Sequence, residues 1–185
     1  MKFHILDEVY LGLRANANGH EHEEVREPVN VAKDNVVSSN KLVDDECAKT
    51  SDYSCCIKSL YSDSRTANAD RVVLAYVAFD LAYLDATNTS EYIEKLIDKT
   101  TSRCDRANLE DCAADYEKAE SKLAIAHNDL DSETYDALAD YAGNASLAVE
   151  HCQCTIKGTY PKLHSRNHDF KGLCEIFIVV AKLFI

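Results

Sequence analysis

The chain predicts an all-α fold: an up-down four-helix bundle with an N-terminal helical hairpin, stapled by disulfides. Three observations predict it. Apolar residues recur every third or fourth position over four long segments, the period of a helix. With five Gly, two Pro and no Trp there is little material for a turn-rich β fold, while Ala, Leu, Asp, Glu and Lys favour helix. Cysteines then stand in two spacings, Cys47 with Cys56 nine residues apart and Cys112 with Cys152 forty apart, that suit cross-links between helices.

The N-terminal residues 1–34 read as a separate, disordered or non-native segment, because HEHEEVREP is polar and ends in Pro28. Residues 35–185 form the expected domain, divided into a hairpin over 35–62 and a bundle over 66–185. The hairpin begins with a helical pattern from Asn35 to Thr50 that carries Val36, Val37, Leu42 and Val43. Nine residues of straight helix rise about 13 Å, whereas a disulfide needs Cα atoms within roughly 7 Å. The chain must therefore reverse between Cys47 and Cys56, and Thr50-Ser51-Asp52 supplies turn and cap chemistry before a short helix from Tyr53 to Tyr61.

The first long helix is expected over Ala69–Thr100, with Val73, Val77, Leu81 and Leu84 inward, Ile93, Leu96 and Ile97 taking over later, and a bend at Asn88-Thr89-Ser90. The second is the most regular, with Leu109, Cys112, Tyr116, Ala119, Leu123, Ala126 and Leu130 alternating +3 and +4. Asp131-Ser132-Glu133 links it to the third, with Ser132 as the expected N-cap and Leu138, Ala142, Ala145, Val149, Cys152 and Ile156 inward. The fourth is expected from Asn167 to Leu183 on Leu173, Ile176, Val180 and Leu183, after a loop holding Gly158 and Pro161. Short connections between long helices demand antiparallel neighbours.

Charge and cysteine usage narrow the function classes. A net charge of −12 argues against nucleic acid and anionic membranes as partners and suits a basic protein. Eight cysteines favour an oxidising compartment and hence secretion. Asp7 and Glu8 nonetheless interrupt any apolar signal core, and the apolar run Ile176–Ile185 is too short to span a bilayer.

No Ser/His/Asp set, Gly-rich phosphate loop or paired carboxylates stand out, so no catalytic residue, cofactor or metal is assigned. His164 and His168 lack a third ligand at fixed spacing. Asn88-Thr89-Ser90 and Asn144-Ala145-Ser146 match the glycosylation pattern, which makes Asn88 and Asn144 candidate acceptors.

Residues 40–185 resemble the plant family of invertase inhibitors and pectin methylesterase inhibitors. The matching stretches are Glu46-Cys47-Ala48-Lys49-Thr50 through Cys56-Ile57-Lys58-Ser59-Leu60, then Ser62-Asp63-Ser64-Arg65 and Ala69-Asp70. Asp111-Cys112 with Tyr116, Thr134-Tyr135-Asp136-Ala137, Arg166-Asn167 and Leu173-Cys174 continue the match. Both cysteine spacings agree with the family's two disulfides.

The resemblance implies a non-catalytic inhibitor of a carbohydrate-active enzyme in the cell wall, monomeric until it meets its target. Pectin methylesterase is the leading target and invertase the alternative, with a non-inhibitory secreted relative as a third reading. Asp115, Glu117, Tyr135, Asp136 and His151 are the candidate partner contacts. Family members often carry Gly where Glu133 stands, and the Pro-Lys-Phe tripeptide of invertase-blocking members has no counterpart at Tyr135-Asp136-Ala137.

Four cysteines remain. Cys174 reads as a buried free thiol. Cys55 could compete with Cys56 for Cys47, though the nine-residue spacing favours Cys56. Cys104 and Cys154 flank the Cys112–Cys152 pair and are candidates for a third disulfide.

Overall fold

The computed structural model describes residues 40–156 and 159–185; the expectations for residues 1–34, for the helix start at 35–39 and for the loop at Gly158 fall outside them. Two short helices come first, α1 (Lys41–Cys47) and α2 (Tyr53–Leu60), followed by a 3-10 turn (Ser64–Asn68). Four longer helices follow: α3 (Arg71–Lys99), α4 (Arg103–Asp131), α5 (Leu138–Ile156) and α6 (Pro161–Ala181), with a last 3-10 turn at Lys182–Phe184. Each of the four packs on the next, and α6 closes the ring against α3. The α1–α2 hairpin leans on α6 and α3. This is the four-helix bundle with a helical hairpin that the periodicity predicts.

Local chemistry starts most of these helices. Asp52 caps α2 by accepting from the Cys55 amide at 2.9 Å, and Asp70 caps α3 by accepting from Val72 and Val73. Asn40 caps α1 and also donates to the Thr66 and Ala69 carbonyls at 3.1 and 2.8 Å. One asparagine therefore ties the hairpin to the turn that leads into the bundle. Arg65 adds a second tie, reaching Asp63 at 2.6 Å and Asp80 on α3 at 2.7 Å.

Disulfides join Cys47 to Cys56, with Cα atoms 5.5 Å apart, and Cys112 to Cys152, with Cα atoms 4.5 Å apart. By chain entropy, closing the larger loop contributes roughly 4 kcal/mol and the smaller one roughly 2.5 kcal/mol.

Four expectations need correction. Helix α3 runs unbroken through Asn88-Thr89-Ser90, because Thr89 is fully buried and offers no solvated face at which to bend. Its core stripe differs as well. Val77 is buried as expected and Val73 and Leu81 are half-buried, but Leu84 is 42% exposed, and Leu74, Ala75, Ala78, Ala82 and Ala86 join the buried face. Small alanines fill much of the face toward the neighbouring helices, and weighting the larger residues leaves them out of the stripe.

Helix α6 begins at Pro161 rather than near Asn167, since proline's fixed φ suits a first helical position. Ser132 is the C-cap of α4, not an N-cap: its hydroxyl donates back to the Asn128 carbonyl at 2.8 Å. Beyond it the chain turns through Glu133 at φ 55°, with Thr134 N–H donating to Asp129 O and Glu133 N–H to Leu130 O. That pair of bonds is a Schellman ending, whose left-handed position favours glycine.

Candidate functional site

Helices α4 and α5 make an antiparallel pair locked by Cys112–Cys152 near the end where α5 finishes. Three residues past Cys112, Asp115 is buried, and its two carboxylate oxygens are divided between elements. Oδ2 lies 2.6 Å from His151 Nδ1 on α5, and Oδ1 accepts from Lys118 Nζ at 3.0 Å. The carboxylate is thus an interhelical tie beside the disulfide.

Tyr116, the next residue, is fully buried; its hydroxyl donates to Asn167 Oδ1 on α6 at 2.9 Å, and its ring packs on Phe170. Burial holds that hydroxyl above the ordinary phenol range. Asn167 Nδ2 in turn donates to Cys152 Sγ at 3.4 Å.

The outer face of this helix pair carries much of the chain's charge. Residues 103–156 hold twelve Asp and Glu against four Lys and Arg. By contrast α6 holds Lys162, Arg166 and Lys171 against Asp169 and Glu175. The acidity is therefore concentrated on the α4–α5 pair. Glu110, Asp111 and Glu117 on α4 and Asp140 and Glu150 on α5 are all exposed.

The five candidate contact residues do not form one patch. Asp115 is buried, so it is not the exposed acid that a contact residue would be. Glu117 is exposed on the same helix, and the His151 side chain is two-thirds exposed, at 67%. Tyr135 and Asp136 lie beyond the opposite end of α4, about 24 Å or more along the helix from Asp115. Asp136 is exposed there, but the Tyr135 ring stacks on Phe184 at 4.1 Å, and Arg71 sits over the other ring at 5.0 Å. The tyrosine closes the end of the bundle.

The third disulfide is overturned: Cys104 and Cys154 are both free and exposed. Cys104 lies two turns before Cys112, about 12 Å along α4, whereas Cys154 lies only about 3 Å past Cys152 along α5. In antiparallel helices those levels differ by about 9 Å, beyond the reach of a disulfide. Cys55 is likewise free and exposed, and Cys174 is free and buried. Asn88 and Asn144 are exposed but stand inside α3 and α5, where the backbone lacks the loop geometry of a glycosylation acceptor.

Two features escaped the sequence reading. One is a cleft of about 450 Å³ between the hairpin turn and α5–α6, with Ser51, Asp52, Cys55, Gln153 and His168 on its walls. The other is a polar cluster inside the α3–α6 interface around Asp85 and Arg166, signalled only by an acid placed beside the buried Ala82–Ala86 stripe. Among the described residues no three His, Cys, Asp or Glu side chains converge to hold a metal ion, and no helix is long and apolar enough to cross a membrane.

A helical hairpin on a disulfide-locked bundle is the architecture the chain shares with a family of protein inhibitors. The model described as "Plant invertase/pectin methylesterase inhibitor" matches residues 41–180, and the chain belongs to that family, whose members are proteinaceous enzyme inhibitors and not enzymes. Among its relatives is a pectinesterase inhibitor of Actinidia deliciosa, 30% identical over 151 residues, covering 80% of this chain and 82% of the relative. A cell wall / vacuolar inhibitor of fructosidase 2 from Arabidopsis thaliana is 31% identical over 149 residues, covering 75% and 81%. In fold, the chain is similar to the crystal structure of a mutant form of a pectin methylesterase inhibitor from Arabidopsis. That match has a TM-score of 0.67 and 24% identity, covering 74% of this chain and 93% of the other.

Proposed function

We propose that the protein is a secreted, monomeric inhibitor of pectin methylesterase that lays the acidic α4–α5 face over the enzyme's substrate cleft. The observation that carries this reading is the concentration of carboxylates on one cross-linked helix pair. An acidic rigid face complements a cationic cleft, the kind of cleft that suits a polyanionic polysaccharide. Such complementarity speeds association and makes it salt-dependent. Helices already held by Cys112–Cys152 lose little conformational freedom on docking. The similarity to the Actinidia pectinesterase inhibitor supports the same target, and two disulfides suit an oxidising extracellular setting.

A second reading, inhibition of invertase, is favoured by the similarity to the Arabidopsis fructosidase inhibitor. Against it, Tyr135, the bulky residue nearest the start of α5, spends its ring on Phe184 and does not project toward a sucrose-sized pocket. Titrating a plant pectin methylesterase and a plant invertase with the purified oxidised protein separates the readings. Loss of pectin methylesterase activity at near-stoichiometric inhibitor, weakened by added salt, is the expected result. Loss of invertase activity alone would establish the second reading. No effect on either enzyme would leave a family scaffold without inhibitory activity.

A further inference from the structure

Where α3 meets α6, two buried polar atoms have no hydrogen-bond partner: Asp85 Oδ2 on α3 and Arg166 Nε on α6. Buried groups in this condition are rare, and each asks for a reason. Arg166 is committed elsewhere. Its Nη1 donates to Thr89 Oγ1 at 3.2 Å, and its guanidinium lies 4.9 Å over the Tyr92 ring. It therefore lends Asp85 field but no hydrogen bond.

The other groups around Asp85 do not favour a charge. Asp169, also on α6, is a second acid; Tyr116 reaches in from α4 and Cys174 from α6, both neutral and themselves buried. We propose that Asp85 is a proton-operated latch between α3 and α6: its neutral form seats α6 firmly, and its ionisation loosens that contact. Burial, opposed by Arg166 and reinforced by Asp169, pushes the Asp85 carboxyl up to about 6.

The sign follows from linkage. A carboxyl that holds its proton more tightly in the folded chain than in the unfolded one penalises the fold above its folded value. That penalty is relieved as pH falls through 6 toward 4. The protein is thus held more tightly in mildly acidic surroundings than at neutral pH, contrary to the usual behaviour of paired surface carboxylates.

The test compares the intact protein with Asp85→Asn by urea unfolding at pH 7.5 and pH 4. The asparagine variant is expected to gain relative to the parent at pH 7.5, by at least tenfold and at most about a hundredfold in the folding equilibrium constant. The gain should shrink to about threefold or less at pH 4. A difference that stays constant with pH would overturn the latch. Should the variant not fold, carboxyl-carbon NMR titration of the unsubstituted protein decides the matter: a midpoint for Asp85 near 6 supports the proposal, and one near 4 refutes it.

Discussion

Asp115 Oδ2 and His151 Nδ1 stand 2.6 Å apart across the α4–α5 interface, next to the disulfide that joins the same two helices. The acid is buried and the imidazole mostly exposed, so the pair works as an internal tie with one solvent-facing end. Asp115→Ala is expected to cost about 1.5–3 kcal/mol, the range for hydrogen bonds to a charged group. Asp115→Asn, which keeps one bond to His151, should cost less. Chemical denaturation at neutral pH measures both, and equal losses would show that shape rather than charge sets the cost.

Glu133 occupies the left-handed position that ends α4, at φ 55°. A residue with a Cβ is strained there, whereas glycine is not. Glu133→Gly is therefore expected to stabilise the protein by about 0.5–1 kcal/mol, after allowing for glycine's larger freedom in the unfolded chain. A lowered melting temperature in the variant would contradict this account of the turn.

The free thiols divide by exposure. Alkylation of the native oxidised protein should label Cys55, Cys104 and Cys154, and Cys174 only after denaturation. Burial also pushes the Cys174 thiol far above its ordinary range, which leaves negligible thiolate for reaction. Intact mass shows three additions, then four. Finding just two labels under denaturing conditions would restore the Cys104–Cys154 bond that the helix levels rule out.

Glu117 is an exposed acid on α4 little more than one helical turn past Cys112, and it is the direct test of the docking face. Glu117→Lys should slow association with pectin methylesterase several-fold at low salt and change little at high salt, since rim charges act mainly on the rate of encounter. Stopped-flow or surface-binding kinetics at two ionic strengths reads this out. A variant that associates at the parental rate at low salt would remove Glu117 from the interface.

The bundle was legible in the sequence wherever large apolar residues kept a helical period. Leu109, Cys112, Tyr116, Ala119, Leu123, Ala126 and Leu130 are all buried, as are Leu138, Ala142, Ala145, Val149, Cys152 and Ile156. The period misled in part of α3, where Ala75, Ala78, Ala82 and Ala86 share the buried face and size is a poor guide to position. It also missed the start of α6, because Pro161 serves equally as a loop signal and as a first helical residue.

The candidate contact surface was less legible. An acid in a helical pattern reads as solvated, yet Asp115 and Asp85 point inward, each for a partner or neighbour tens of residues away. Tyr135 likewise looks available until Phe184, forty-nine positions along the chain, folds back over it. Such pairings depend on how helices close in three dimensions, which local spacing does not encode.

The Asn167 amide touches Cys152 sulfur with its nitrogen while its oxygen holds the Tyr116 hydroxyl. Redox chemistry at one pair of helices is therefore wired to a third. Cutting the α4–α5 bridge would disturb a donor on α6 and a phenol on α4 together. The side-chain amide resonance of Asn167 becomes a built-in gauge of whether that bridge is intact.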